Sequence, residues 1–331
     1  MTPPDASASG EDDLIARYFR PLATDPGAFG LIDDAAILKS SGDDLVITTD
    51  AIVEGVHFLS SDPPDTIARK ALRVNLSDIA AKGATPAGFV LTLALREARD
   101  EWLAPFAKAL GEDATSFQCP LLGGDTVSTP GPLMISVTAF GRVPAGKMVR
   151  RSGAKPGDKI AVTGTIGDAA LGLRLLNGNL TGDGLDTAAY NFLVQRYRVP
   201  QPRNALAMAV RDHATAAMDV SDGLAGDLAK LCAASGVSAM IEAASIPLSD
   251  AARILLDAGQ ADFEDIVAGG DDYEILCAIP ENRWDSFAAS AARLGVAVTC
   301  IGKVAAGKGP AMFTARDGKP IVLKRLSYSH F

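Results

Sequence analysis

One stretch divides this chain before any other feature is weighed. From Lys147 to Asp158 it reads Lys-Met-Val-Arg-Arg-Ser-Gly-Ala-Lys-Pro-Gly-Asp, basic and turn-rich, with Pro156-Gly157 as a strong turn signal. The chain has 331 residues, more than one hydrophobic core usually serves. The break therefore predicts two domains, 14–148 and 149–331. Residues 1–13, rich in Ser, Pro and acids, read as a mobile N-terminal tail.

Periodicity fills in the two halves. In the first, Asp44 to Asp50 reads as a strand ending in polar residues. Thr66 to Gly83 has helical spacing, with Ile67, Ala71, Val74 and Ile79 on one side and Gly83 as a stop. Ala87 to Leu95 and Pro132 to Val143 read as strands, and Trp102 to Leu110 as a helix. This half lacks strict βαβ regularity, which points to α+β. In the second half, strands are expected at Lys159–Thr163, Ala216–Val220, Ser238–Glu242, Tyr273–Ile279 and Ala297–Val304. Helices are expected from Asp168 and over Arg203–His213, Gly223–Ala234 and Arg283–Leu294. Helices alternating with strands predict a sheet with helices packed on it, an α/β domain.

Composition narrows function mainly by exclusion. The formal net charge of −9 argues against a nucleic-acid partner, since phosphate backbones are bound by clustered Lys and Arg. It allows a polyphosphate ligand, provided divalent cations bridge the two negative partners. Cys119, Cys232, Cys277 and Cys300 form no C-x-x-C pair and lie in apolar stretches, as buried thiols of a reducing cytoplasm do. There is no N-terminal apolar h-region and no long uncharged apolar run, so neither secretion nor a membrane span is expected.

Two glycine motifs are weak phosphate signals. Gly302-Lys-Val-Ala-Ala-Gly307-Lys308 nearly matches a phosphate-binding loop, but Gly309 replaces the hydroxyl residue that would hold magnesium, and Pro310 follows where a helix should begin. It reads as a loop between strands. Gly164-Thr-Ile-Gly167 is better placed, between strand and helix, where amides could face an anion; a plain tight turn is the competing reading.

The aspartates carry more. Asp33 and Asp34 are adjacent between apolar runs, and Asp50 follows Thr48 and Thr49. Asp78 sits inside the helical pattern, Asp125 follows Gly123-Gly124, Asp219 and Asp222 bracket Val220-Ser221, and Asp271 and Asp272 follow Gly269-Gly270. Any one of them alone reads as a helix cap or a turn residue. Together they lie beside apolar segments or glycines, where lone carboxylates are costly to bury but convergent ones can share hard cations. The Leu76-Ser-Asp78 … Gly123-Gly-Asp125 spacing is echoed by Val220-Ser-Asp222 … Gly269-Gly-Asp271. So short a match reads as coincidence, or as parallel use of one phosphate-metal solution.

These residues resemble the thiamine-monophosphate kinase family. The resemblance rests on Leu14 to Phe19, Asp33-Asp-Ala-Ala36, Thr48-Thr-Asp50, Val53-Glu-Gly-Val-His-Phe58 and Asn75 to Ala84. It continues in Gly123-Gly-Asp-Thr126, Arg151 to Asp158, Asp219-Val-Ser-Asp-Gly-Leu224 and Gly269-Gly-Asp-Asp-Tyr-Glu274, reaching from Leu14 to the C-terminal His330-Phe331. Several of these motifs belong to the wider superfamily of aminoimidazole-ribonucleotide synthetase-like ATP enzymes; Val53 to Phe58 is the most specific to the kinase. The resemblance implies transfer of the ATP γ-phosphoryl group to thiamine monophosphate, giving thiamine diphosphate and ADP. It implies a mixed-sheet N-terminal domain that binds metal and ATP and pairs in a homodimer. A C-terminal α/β domain follows, with nucleotide and several Mg2+ ions in the cleft between. By motif, Asp34, Thr48, Thr49, Asp50, Asp78, Asp125, Asp219 and Asp222 are implied as metal-site residues. Gly124, Asp125, Arg151 and Ser221 are implied as ATP contacts, and His57, Asp271 and Arg325 at the substrate. Three positions depart from the family: Ile32 stands for a Gly, Asp271 for a Glu, and Arg325 for a Trp, with Tyr328 as a substitute aromatic.

The chemistry this implies needs no general base. A phosphate monoester has a second pKa of about 6, so the acceptor oxygen is already deprotonated at neutral pH. What remains is neutralisation of two anions and in-line positioning. The competing readings are another synthetase of the same superfamily, or a nucleotide- or metal-binding regulatory protein without turnover. No Cys sits in an N-terminal glycine-rich loop, which opposes a selenophosphate synthetase.

Overall fold

The computed structural model describes residues 14–31, 36, 38 and 42–328. The tail 1–13 expected to be mobile, Ile32 and the Asp33–Asp34 pair lie outside the described residues. The chain divides into two compact units, Met1–Asn75 with Pro86–Arg142, and Leu76–Thr85 with Val143–Phe331. The division falls upstream of the turn-rich stretch, and the second unit takes a short segment out of the first half.

The first unit is built on a four-stranded sheet of β1 (Asp44–Val53), β2 (Thr85–Leu95), β3 (Leu121–Ser128) and β4 (Met134–Val143), in the order β1-β4-β2-β3. Two helices accompany it, α1 (Pro64–Ala81) and α2 (Asp100–Ser116). Pro64 opens α1, where its missing N–H costs nothing, and Asp65 complements the helix dipole. β2, α2 and β3 form a βαβ unit, with β2 and β3 parallel and Thr92 opposite Asp125. In β4, Ile135, Val137 and Ala139 are buried while Ser136, Thr138 and Phe140 are only half-buried, so the two faces of the sheet differ. α1 and α2 are tied by Asp113, which is buried and accepts from Arg69 Nη1 at 2.5 Å and Arg73 Nε at 2.6 Å.

Two expectations for this half are corrected. Asp50 does not end its strand: β1 runs on to Val53, and Ile52, on the same side as Val46, is buried again. Gly123-Gly124-Asp125 is not a turn but the middle of β3. Glycine is required there for proximity, since a Cβ on Gly124 would come within 2.1 Å of the Leu91 carbonyl oxygen across the strand pair.

The second unit holds a seven-stranded mixed sheet. Its strands are β5 (Lys159–Thr163), β6 (Ala216–Val220), β7 (Ser238–Glu242), β8 (Glu274–Ile279), β9 (Val298–Ala305), β10 (Met312–Thr314) and β11 (Pro320–Ile321), in the order β11-β10-β7-β9-β5-β8-β6. Its helices are α3 (Asp168–Leu176), α4 (Thr187–Arg198), α5 (Ala207–His213), α6 (Leu224–Ser235), α7 (Asp250–Asp257), α8 (Phe263–Val267) and α9 (Trp284–Arg293). Alternate residues of the central strands feed two separate cores. Ile160, Val162, Met218, Leu276 and Ala278 join α3, α4, α6 and α7. Ala161, Ala217, Ile275 and Cys277 join α5, α9 and Ala80–Ala81 from the end of α1. Every residue of β8 is buried, as a strand covered on both faces requires. The Gly302–Lys308 stretch is only partly a loop, because β9 extends through Ala305.

Candidate active site

In the second unit, the implied metal-site residues lie where the end of α1 meets β6. Asp219 is the penultimate residue of β6 and is buried. Burial, then the neighbouring Asp78 and Asp227 carboxylates, push its carboxyl well above the usual carboxylate range, against a hydrogen bond with Ser77 and the charge of Lys82. The Ser77 hydroxyl also reaches the Tyr273 carbonyl at 3.5 Å. Lys82 follows Asp78 by one helical turn and donates to the Ala217 carbonyl at 2.9 Å. Burial lowers its ammonium below the usual lysine value, and Asp78 and Asp219 oppose that. A buried carboxylate such as Asp219, with the half-buried Asp78 beside it, is costly without a compensating positive charge, which a hard divalent ion would supply. Among the described residues, no three His, Cys, Asp or Glu side chains gather as a metal site. The donor set therefore fits a divalent cation in part, at Asp78 and Asp219.

Beyond β6 the chain turns into α6, and Asp227 organises the turn. Its Oδ2 accepts from the amides of Ser221 and Asp222, both at 3.0 Å, and its Oδ1 from Lys230 at 2.9 Å. Lys230 also donates to Asp222 Oδ2 at 2.5 Å, so this carboxylate is paired with an ammonium. The Gly269–Tyr273 loop packs against the same turn. Asp271 donates its amide to the Ser221 carbonyl and Tyr273 to the Val220 carbonyl, both at 2.8 Å. Asp271 and Tyr273 take φ of 71° and 51°, left-handed conformations that cost a non-glycine residue energy. Gly270 must lack a side chain, because its Cβ would meet the Ser221 carbonyl oxygen at 2.7 Å.

A buried ionic network supports that loop. Arg196 donates to the Asp272 carbonyl at 3.2 Å and to Glu274 Oε1 at 2.8 Å. Arg203 and Thr163 complete the partners of Glu274. Asp272 is fully buried; its Oδ2 accepts from the Gly167 amide at 2.8 Å and its Oδ1 has no partner. Burial pushes its carboxyl well above the usual range. The Gly167 amide is thus spent inside the protein, which settles the Gly164–Gly167 stretch as a structural turn.

In the first unit, Thr48, Thr49 and Asp50 lie along β1. Thr49 Oγ1 donates to the Val137 carbonyl at 3.2 Å and accepts from Thr138 Oγ1 at 3.0 Å, while the Asp50 amide donates to Asn75 Oδ1 at 3.0 Å. His57 sits in a tight turn after β1. Its Nδ1 accepts from the Val53 amide at 3.1 Å, so the neutral ring carries its proton on Nε2, and its carbonyl accepts from the buried Lys70 at 2.8 Å. Gly124 and Asp125, both exposed on β3, line a cavity of about 400 Å³ whose apolar walls include Phe19, Leu31, Val90 and Leu91.

The structure thus brings Asp78 to Asp219, and Ser221 and Asp222 to Asp271. Asp34 lies outside the described residues, and Arg151 is exposed on the loop before β5. Arg325 is engaged elsewhere, with Asp265 at 3.5 Å and Glu264 at 3.8 Å around α8, whereas the Tyr328 amide donates to the Asp222 carbonyl at 2.9 Å. Asp227, Lys230, Lys82 and Asn75 were not singled out from sequence. Asn75 and Lys82 fall inside a quoted motif, but nothing in the spacing of α6 marks Asp227. The echo between the two halves has no structural counterpart: Asp78 is helical, Asp125 is in a strand and Asp271 is in a left-handed turn.

Comparison with known proteins gives this geometry a family. Two family models match, the AIR synthase related protein N-terminal domain over residues 32–143 and its C-terminal domain over 155–314. A thiamine-monophosphate kinase of Caulobacter vibrioides is 45% identical over 335 residues, covering 99% of this chain and 92% of that one. This chain belongs to the thiamine-monophosphate kinase family. A solved thiamine-monophosphate kinase from Stenotrophomonas maltophilia K279a is 39% identical, with a TM-score of 0.82 over 96% of this chain and 98% of that one. Another structure, AaThiL complexed with AMPPCP and TMP, is 31% identical, with a TM-score of 0.76 over 92% of this chain and 97% of that one. The resemblance drawn from motifs and the two-domain fold it implied are both borne out by membership of the thiamine-monophosphate kinase family.

Proposed function

We propose that this protein transfers the γ-phosphoryl group of ATP to thiamine monophosphate, giving thiamine diphosphate and ADP. The observation that carries this is near-full-length identity of 45% to a thiamine-monophosphate kinase. A relative bound to AMPPCP and TMP supports the pairing of the two substrates. Purified protein mixed with magnesium, ATP and thiamine monophosphate should form thiamine diphosphate. Nucleotide binding without that product would overturn the reading in favour of a non-catalytic binding protein.

The residue roles belong to the same proposal. Asp78, Asp219 and Asp222 in the second unit, and Asp34, Thr48, Thr49, Asp50 and Asp125 in the first, are the candidate magnesium-site residues. Magnesium, when bound, supplies the positive charge that lets two anionic substrates approach. Asp222 takes that role once it exchanges the Lys230 ammonium for the ion. The cavity beside Gly124 and Asp125 has apolar walls suited to a nucleobase and a carboxylate and amides suited to its polar edge. Arg151 and Ser221 serve the nucleotide. His57 and Asp271 serve thiamine monophosphate, whose dianionic phosphate needs no general base. Tyr328, held to the Asp222 loop, is the better placed of the two C-terminal candidates for the substrate, since Arg325 is held by the acids of α8.

The protein acts as a homodimer in this reading. Support comes from the less buried face of the first sheet, where Leu45 and Ile47 are 44% and 60% exposed on one side of β1 while Val46 is buried on the other. A cytoplasmic setting is supported by four free cysteines, three of them buried, and no helix of the described residues is long and apolar enough to cross a membrane. The net charge of −9 supports the absence of a nucleic-acid partner.

A further inference from the structure

The loop that carries Arg151 has no secondary structure of its own, yet it is fixed at almost every residue. Upstream, the Val149 amide donates to the Lys82 carbonyl at 3.1 Å and the Arg150 carbonyl accepts from Ala217 at 2.9 Å. Downstream, Asp158 Oδ2 accepts from the Lys155 amide at 3.0 Å and from Thr215 Oγ1 at 2.6 Å. Between these anchors, at Arg151 itself, the backbone is held by one side chain. Ser235, the last residue of α6, donates its hydroxyl to the Arg151 carbonyl at 3.1 Å. The same oxygen accepts from the Gly153 amide at 3.1 Å and the Ala154 amide at 3.2 Å. A serine hydroxyl has one proton to give and two lone pairs, so all of its capacity is committed to this one turn.

The turn needs that support. Gly153 has a φ of 131°, and a Cβ there would approach the Thr215 carbonyl oxygen to 2.4 Å, so the chain is pressed against the residue that leads into β6. Ala154 is buried in the main core of the unit, where an amide without a partner is costly. Arg151 is exposed, so burial does not fix its direction. Its orientation is therefore inherited from its backbone, and its backbone is held by Ser235.

We propose that Ser235 is a positioning residue for ATP, holding the Arg151–Ala154 turn so that the Arg151 guanidinium meets the nucleotide. This rests on the assignment of Arg151 to ATP made above. The residue lies outside every motif by which the chain was assigned, and it acts only through the loop.

Steady-state kinetics with each substrate varied, together with calorimetric binding of a non-hydrolysable ATP analogue, test it. Ser235→Ala should raise KM for ATP about tenfold and weaken analogue binding to match, while KM for thiamine monophosphate changes less than about twofold. Ser235→Thr, which keeps the hydroxyl, should bring KM for ATP back to within about threefold of wild type. If Ser235→Ala leaves analogue binding unchanged, or raises both KM values equally with a lowered Tm, the positioning role is wrong. Arg151→Ala separates this from the underlying assignment. Unchanged ATP binding in that variant would remove Arg151 from the nucleotide site. Weakened binding there, with Ser235→Ala unaffected, would overturn Ser235 alone.

Discussion

Asp125 occupies a position that strand physics alone does not favour. It stands exposed in the middle of β3, preceded by a glycine that lets Leu91 approach closely, and β-strands disfavour both residue types. The magnesium role proposed for the carboxylate accounts for an aspartate at such a position. Asp125→Asn should cut kcat by at least about a hundredfold, the scale of losing one electrostatic contact to the transition state, with an unchanged circular dichroism spectrum. Asp272 makes the opposite case, a carboxyl with a partner for only one oxygen. Its folded-state affinity for a proton exceeds the unfolded one, so that stabilisation is complete below about pH 4 and is lost as pH rises through the folded value. Asn in its place keeps an acceptor for the Gly167 amide and removes the titration. Thermal melts from about pH 5 to pH 9 should show wild type losing Tm on the alkaline side more steeply than Asp272→Asn. Some slope will remain, because burial raises Asp168 as well.

Elements were legible in the sequence to the degree that their burial was regular. Lys159–Thr163, Ala216–Val220 and Ser238–Glu242 were read to the residue, since each is a short apolar or alternating run between turn signals. β3 was not, because two glycines and an aspartate mimic a turn when the neighbouring strand is unseen. The short helices α7 and α8 were also missed, their signal being mostly in caps: Ser249 bonds the Ala252 amide, and Asp262 and Asp265 form a capping box. The site followed the same division. Single aspartates in motifs could be named, but the pairing of Asp78 with Asp219, and the hold of Asp227 on Ser221 and Asp222, join distant or unmarked positions that only packing reveals. Among helices, α1 and α2 depend on one buried carboxylate, Asp113. Asp113→Ala leaves Arg69 and Arg73 without their buried counter-charge and should cost about 3–5 kcal/mol in urea unfolding. A loss below about 1 kcal/mol would mean solvent reaches this pair freely.

At the scale of the whole molecule, the proposed dimer rests on the open face of the first sheet. Ile47→Asp places a charge in the middle of that face without touching the buried side of β1. Light scattering should find two copies in the wild type and a shift toward one in the variant; a wild-type monomer would remove the dimer from the proposed function. The partition of the chain has a further consequence for inheritance. α1 is one unbroken helix from Pro64 to Ala81, but its last turns, with Ser77, Asp78, Ala80 and Ala81, belong to the second unit. A fragment starting at Val143 would leave behind two core residues and a carboxylate of its own site. Gene fusion or shuffling at the obvious boundary would therefore deliver an incomplete part.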